Sequence, residues 1–226
     1  MRYRLLLSDA DNTLFDFLAG EKVAIEATFA AMGIPATEEN LATYHRINQA
    51  QWAMLERGET TQARLRVERM VRFLAETGYG ADPQAMSAHF VRELGRQRVL
   101  LPGALEFCRR VSARMPIFLV TNGISAIQRS RFERSELAPS IAGLVISEEV
   151  GFAKPDPAMV LEALRMAAVP PAEAVLLGDS VTADIPAARR AGVDSILFTN
   201  GGEPPPGHGA TYVARTLKEA ADMILR

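Results

Sequence analysis

Four short segments carry residue types that could act together on a phosphate ester. They are Asp9-Ala10-Asp11-Asn12-Thr13, Thr121-Asn122-Gly123, Lys154-Pro155, and Gly178-Asp179-Ser180 with Asp184 shortly after it. Between them they offer a carboxylate nucleophile, a second acid, a hydroxyl and turn amides, an ammonium group and further carboxylates for a cation. Phosphoryl transfer from an anionic ester needs these parts and little else.

Each segment has a reading by itself. Leu5-Leu6-Leu7-Ser8 is an apolar run that ends in Asp9, and ligands of open α/β sheets bind beyond the carboxyl ends of strands. Asp9 is read as the nucleophile. Asp11 is read as the general acid, then the general base, and Thr13 as a loop-ordering hydroxyl. Two carboxylates that close repel by ~4 kcal/mol at 4 Å and an effective dielectric of 20. With Asp179 added the cluster needs a cation, and an all-oxygen donor set suits Mg²⁺. Taken alone, Asp9 reads equally well as the N-cap of a following helix.

Thr121, Asn122 and Gly123 form a strand-to-helix turn whose hydroxyl and amides suit phosphate oxygens, although Asn-Gly by itself marks only a turn. Of 25 Lys and Arg residues only Lys22, Lys154 and Lys218 are lysine. Lys154 suits a point charge on phosphate and nucleophile; in isolation it reads as a solvated surface residue. Asp179 is the second carboxylate ligand of the expected cation. Ser180 and Asp184 are read as supporting residues, with Thr182 as the cap of the next helix. Asp184 is placed to hold a metal-bound water or Lys154, or to serve only as a favourable first-turn acid.

The elements around these segments fit an α/β fold. Tyr3–Ser8, Ile117–Val120, Leu144–Ser147, Ala174–Leu177 and Ser195–Phe198 are short aliphatic runs bounded by Gly, Pro, Asp or Asn, as buried parallel strands are. Helical stretches alternate with them at 124–136, 157–168 and 182–191, and 216–225 closes the chain. The alternation implies right-handed crossovers and a doubly wound parallel sheet. The first connection is anomalous, because Ala19 to Leu100 is helical nearly throughout. Val67, Met70, Val71 and Leu74 repeat at helical spacing, 38–56 and 83–98 also read as helices, and Gly58 and Gly78 read as stops. The expected organisation is a sheet domain from 1–18 and 101–226 with a four-helix insert at 19–100. Gly20 and Pro102-Gly103 are the candidate boundaries, and 201–207 is a surface loop.

Composition excludes several classes. The 226 residues are 48% hydrophobic with a net charge of −2, so no positive field draws nucleic acid. No apolar run reaches the ~20 residues that span a bilayer. A single cysteine, Cys108, excludes a disulfide framework and suggests a reducing compartment. No signal-peptide pattern opens the chain. The expectation is a cytoplasmic enzyme, monomer or homodimer, with a small-molecule partner, no nucleic acid and no membrane. His45 and His89 lack metal-ligand spacing.

In order and wording the four segments resemble the motifs of the haloacid dehalogenase superfamily of phosphohydrolases, from Tyr3 to Asn200. The insert after the first motif is similar to that family's α-helical cap subclass. Asp9 through Phe15, Trp52 ahead of Gly58, Thr121-Asn122-Gly123 and Ile146-Ser147-Glu148-Glu149-Val150-Gly151 resemble the bacterial pyrimidine 5′-nucleotidases of the superfamily. The resemblance implies strand order 5-4-1-2-3, which sets Asp9 beside Asp179. It also implies Mg²⁺ held by Asp9, Asp179 and the backbone carbonyl of Asp11, an aspartyl-phosphate intermediate, and a nucleoside monophosphate as substrate. The dehalogenase branch lacks the acid two residues after the nucleophile, and Asp11 is present. The alternatives are a small-metabolite phosphatase for phosphoglycolate or sugar phosphates, a phosphoglucomutase-like enzyme, or a non-catalytic binding module. Phe15, Phe17, Tyr44 and Trp52 are candidates to stack on a base, worth ~1–3 kcal/mol per stack, with packing inside the insert as the alternative for each. Acids and arginines nearly balance in the insert, so a polyanionic substrate is not indicated.

Overall fold

The structure is a computed structural model and describes residues 2–226. The chain runs β1 (Leu5–Ser8), α1 (Phe17–Ala31), α2 (Glu38–Glu56), α3 (Gln62–Thr77), α4 (Pro83–Leu94), α5 (Ala104–Ser112), β2 (Ile117–Thr121) and α6 (Ser125–Glu133). It continues through β3 (Gly143–Ile146), α7 (Ser147–Val150), α8 (Ala158–Ala167), β4 (Ala174–Gly178), α9 (Asp184–Ala191), β5 (Asp194–Phe198), β6 (Tyr212–Ala214) and α10 (Leu217–Ile224).

The six strands form one parallel sheet in the order β3-β2-β1-β4-β5-β6. The five expected strands stand in the order 5-4-1-2-3 when read from the other edge. A sixth, not foreseen, is added beside β5 through Ile196↔Tyr212 to Phe198↔Ala214. β1 and β2 are buried at every position, because helices cover both faces as a parallel sheet requires. On one face Leu6, Ile117, Val175 and Ile196 pack with Phe107 of α5 and Leu217 of α10. On the other Leu5, Leu7, Phe118 and Leu176 pack with Met159 of α8 and Ala187 of α9.

Helices α1 to α4 build a separate core around Phe29, Tyr44, Phe73, Met86 and Phe90, which also takes in Ile124 and Ile127 of the sheet unit. Their starts are set by caps that satisfy free amides. Asp16 accepts from Ala19 N at 3.0 Å, Thr37 from Asn40 N at 3.2 Å, Thr61 from Arg64 N at 3.3 Å and Asp82 from Ala85 N at 2.7 Å. Gly78 ends α3 with φ +77, in the left-handed region that favours glycine. The two chain passages between sheet and helices run side by side: Leu101 N donates to Leu14 O and Asp16 N to Val99 O, both at 2.9 Å.

Three local expectations are corrected. Gly20 is not a boundary; it lies inside α1, where an added Cβ would come within 3.1 Å of Gln97 Cβ. Thr182 does not cap α9: the amide of Ala183 donates to Ser180 Oγ at 3.0 Å. The helix at 83–98 stops at Leu94. No helix is long and apolar enough to cross a membrane among the described residues.

Candidate active site

The site forms where three adjacent strands end. β1 pairs with β4 through Ser8↔Leu177 and with β2 through Ser8↔Leu119. Asp9 and Asp179 therefore leave neighbouring strands side by side, and Thr121 closes β2 on the other flank. Oxygens of Asp9, Asp179 and Asp184 lie within 4.8 Å of one another.

Lys154 enters this acidic group from the loop after α7 and is 2% exposed. Its ammonium donates to Asp9 Oδ1 at 2.7 Å, Asp184 Oδ1 at 2.6 Å and the Val120 carbonyl at 2.6 Å. An ammonium has three protons, so all three are used. Asn122 fixes the lysine from outside: its Oδ1 accepts from Lys154 N at 2.7 Å and its Nδ2 donates to Lys154 O at 2.8 Å. Asp184 is equally buried, and its Oδ2 accepts from Ser180 N at 3.0 Å. Gly178 is required here, since an added Cβ would sit 2.3 Å from Asp184 Oδ2.

The electrostatics follow from two buried acids, Asp9 and Asp184, and the half-buried Asp179 around one base. Burial pushes the Asp9 carboxyl up to about 7; Lys154 pulls it down, while Asp184 and Asp11 raise it further. Burial, then Asp9 and Asp184, push Asp179 up to about 8. Burial alone would lower Lys154, but Asp184 and Asp9 together outweigh it and hold the lysine charged. Ionised together, the three acids would carry more negative charge than Lys154 balances, which with burial is why Asp9 and Asp179 hold their protons. A hard divalent cation fits both that deficit and the carboxylate donor set.

The remaining expected residues divide. Asp11 turns away from the cluster: its Oδ1 accepts from Arg131 Nη1 and its Oδ2 from Gln128 Nε2, both at 2.6 Å. Arg131 is buried and lies over the Phe15 ring at 4.6 Å. Thr13 Oγ1 reaches Asp179 Oδ1 at 3.4 Å. Gly123 N donates to Thr121 Oγ1 at 3.2 Å, and an added Cβ on Gly123 would strike Gln128. The Asn122 side chain and the Gly123 amide are therefore already engaged within the protein, which leaves the Thr121 hydroxyl as the directed side-chain group of that turn.

A cleft of about 240 Å³ opens over the cluster and is walled on the helical side by Phe17, Trp52 and Glu56. Two of the four aromatic candidates, Phe17 and Trp52, thus reach it. Phe15 and Tyr44 do not: each is 1% exposed, Phe15 in the sheet core and Tyr44 against Phe29, Phe73 and Phe90. Sequence reasoning passed over Gln128, Arg131 and Glu56. Gln128 and Arg131 stand three apart on α6 and Glu56 four beyond Trp52, so helical spacing was the available signal.

The family model for haloacid dehalogenase-like hydrolases matches residues 3–192. The HAD-hydrolase YfnB of Bacillus subtilis is 33% identical, with 96% of this chain and 94% of that protein covered. Its magnesium-bound crystal structure superposes with a TM-score of 0.90, covering all of both chains at 31% identity. The pyrimidine 5′-nucleotidase YjjG of Escherichia coli is 28% identical, covering all of both chains. The pyrimidine 5′-nucleotidase PynA of Streptococcus pneumoniae is 31% identical over 88% of this chain and 84% of that protein.

Proposed function

The chain belongs to the haloacid dehalogenase-like hydrolases and is a phosphoric monoester hydrolase, and on that premise we propose that it is a Mg²⁺-dependent 5′-nucleotidase acting on pyrimidine nucleoside monophosphates. The observation that carries the reading is the meeting of Asp9, Lys154, Asp179 and Asp184 at adjacent strand ends. The likeness to two pyrimidine 5′-nucleotidases along nearly the whole chain supports the substrate class.

Asp9 is the nucleophile. Lys154 occupies Oδ1, so Oδ2 is the oxygen that attacks phosphorus. The phosphorus–ester oxygen bond breaks as the new bond forms, giving an aspartyl phosphate and an alkoxide. Asp11 protonates the alkoxide, then takes a proton from the water that attacks the aspartyl phosphate, releasing inorganic phosphate and restoring Asp9. To do so it must leave Arg131 and Gln128, its partners in this structure. Thr121 holds a phosphate oxygen. Lys154, with its protons committed, neutralises Asp9 and phosphate as a fixed charge. Asp9, Asp179 and the main chain at Asp11 would hold Mg²⁺, with Asp184 behind them on Lys154; the ion supplies charge neutralisation for the transferring phosphoryl group. Helices within 19–100 act as a cap that excludes water.

Replacing Asp9 by Asn tests the chemistry. Asn is isosteric, and burial already disfavours charge at this position, so the fold survives. Turnover of UMP or p-nitrophenyl phosphate should fall by at least ~10⁴-fold in kcat. Activity within tenfold of the unmodified enzyme, with an unchanged circular dichroism spectrum, would remove Asp9 from the mechanism.

A further inference from the structure

Glu56 is the last residue of α2, where a carboxylate faces the negative end of the helix dipole. It is half-buried and lines the cleft. Among the described residues it makes no hydrogen bond and no ion pair. Its neighbour Arg57 is exposed and forks onto Glu59 instead. One turn earlier on the same helix face, Trp52 lines the same cleft, and its Nε1–H is buried without an acceptor. Phe17, the first residue of α1, brings an aromatic ring to this wall.

The rest of the cleft gives these groups their meaning. Its acids are Asp9, Asp11, Glu56, Asp179 and Asp184, and its only base is Lys154, whose three protons are already given to Asp9, Asp184 and Val120. The wall that must meet the leaving group therefore holds an unused anionic acceptor and the aromatic side chains of Phe17 and Trp52, and no unused cation. A carboxylate only accepts hydrogen bonds. It rewards an N–H and repels another anion, so one group supplies both attraction and rejection.

We propose that Glu56 and Trp52 form the specificity-determining pair of the cleft. They select leaving groups that are uncharged, offer a ring face to the aromatic wall and present an N–H to Glu56, as uracil and cytosine do. They reject phosphate esters whose leaving group carries a carboxylate or a second phosphate. The pair deepens the nucleotidase reading and rests on it.

The test uses the full chain with Mg²⁺ and three esters: UMP, 2-phosphoglycolate, and 2-hydroxyethyl phosphate as the uncharged match for phosphoglycolate. The unmodified enzyme should favour 2-hydroxyethyl phosphate over 2-phosphoglycolate by roughly tenfold or more in kcat/KM, as a like charge facing the leaving group requires. In Glu56→Gln that ratio should shrink to within about threefold, carried mainly by KM, while kcat/KM for UMP falls roughly fivefold. Glu56→Lys should reverse the ratio. Variants that melt like the parent and leave the ratio unmoved would make Glu56 a solvated helix-end acid and overturn the pair. If the unmodified enzyme hydrolyses none of the three esters, the nucleotidase reading fails first and the pair falls with it. Turnover with an unmoved ratio sinks the pair alone.

Discussion

The sheet unit and the helical unit treat buried polarity differently. At the strand ends charge is dense but organised: Lys154 has an acceptor for each proton, Asp184 takes Lys154 and the Ser180 amide, and Asn122 clasps Lys154 at both main-chain positions. In α1 to α4 buried polar atoms are left over. Tyr44 Oη, Gln51 Oε1, Trp52 Nε1 and both Nε and Nη2 of Arg69 have no partner, whereas Arg131 Nε is the one such atom in the sheet unit among the described residues. Unpaired buried groups cost free energy that a fold optimised only for stability would recover. Of the residues that carry these leftover atoms only Trp52 lines the cleft; Tyr44, Gln51 and Arg69 are buried within the helical unit. The contrast teaches that the strand ends and the helical unit hold buried polarity under different physical constraints.

The sharpest break in that contrast is Lys154→Met. It leaves Asp9 and Asp184 facing each other with no cation between them, and removing one partner of a buried ion pair costs ~3–5 kcal/mol. Urea denaturation without Mg²⁺ should show a loss of that order. A loss below about 1 kcal/mol would mean that the strand-end charges do not depend on their lysine.

This organised half was also the more legible one. β1, β2 and β4 are unbroken apolar runs, each ending beside a polar residue, so the sequence located the acids at strand ends. It did not by itself say that the first and fourth strands are neighbours; that came through the family resemblance, since pairing order has no local signature. β6 escaped notice because three residues at a sheet edge make no apolar run. In the helical unit residue type misled. Val71 matches the helical repeat yet is 40% exposed, while Arg69 on the same helix is 1% exposed. Tyr44 in that unit, and Phe15 in the sheet unit, are aromatic yet lie in cores, because side-chain identity does not reveal which face of a helix or loop turns to the cleft. Glu56 was passed over because an acid near a helix end normally reads as solvated surface.

A smaller effect links the strand-end acids to their cation. Without Mg²⁺, Asp9 and Asp179 are pushed up to about 7 and about 8, above the ordinary carboxylate value of about 3.9 that the unfolded chain keeps. Their contribution to stability is complete below that value and is lost as pH rises through 7 to 8, because the unfolded chain releases its protons first. Mg²⁺ competes with those same protons, so its stabilisation should grow with pH. Thermal melts at saturating Mg²⁺ against EDTA should show a gain in Tm larger at pH 8.5 than at pH 5.5 by about 3–6 °C, equivalent to ~1–2 kcal/mol for a chain of this size. Equal gains at both pH values would detach the raised carboxyls from the cation site.

The smallest effect belongs to the helical unit, and it makes the comparison quantitative. Arg69 gives one hydrogen bond, Nη1 to Asn48 Oδ1 at 2.8 Å, and lies over the Phe90 ring at 4.5 Å. Against those gains stand two unpaired buried nitrogens. Arg69→Met keeps the length of the side chain and its contact with the ring. It gives up one hydrogen bond worth ~1 kcal/mol and removes the two unmet donors, each a desolvation cost of similar size. Glu21, raised by burial, loses a favourable neighbour but keeps His45 and Asn48. The net change should stay within about 1 kcal/mol in either direction in the same urea assay. A loss as large as that of Lys154→Met would show that both regions pair their buried charge equally well, and the distinction between them would disappear.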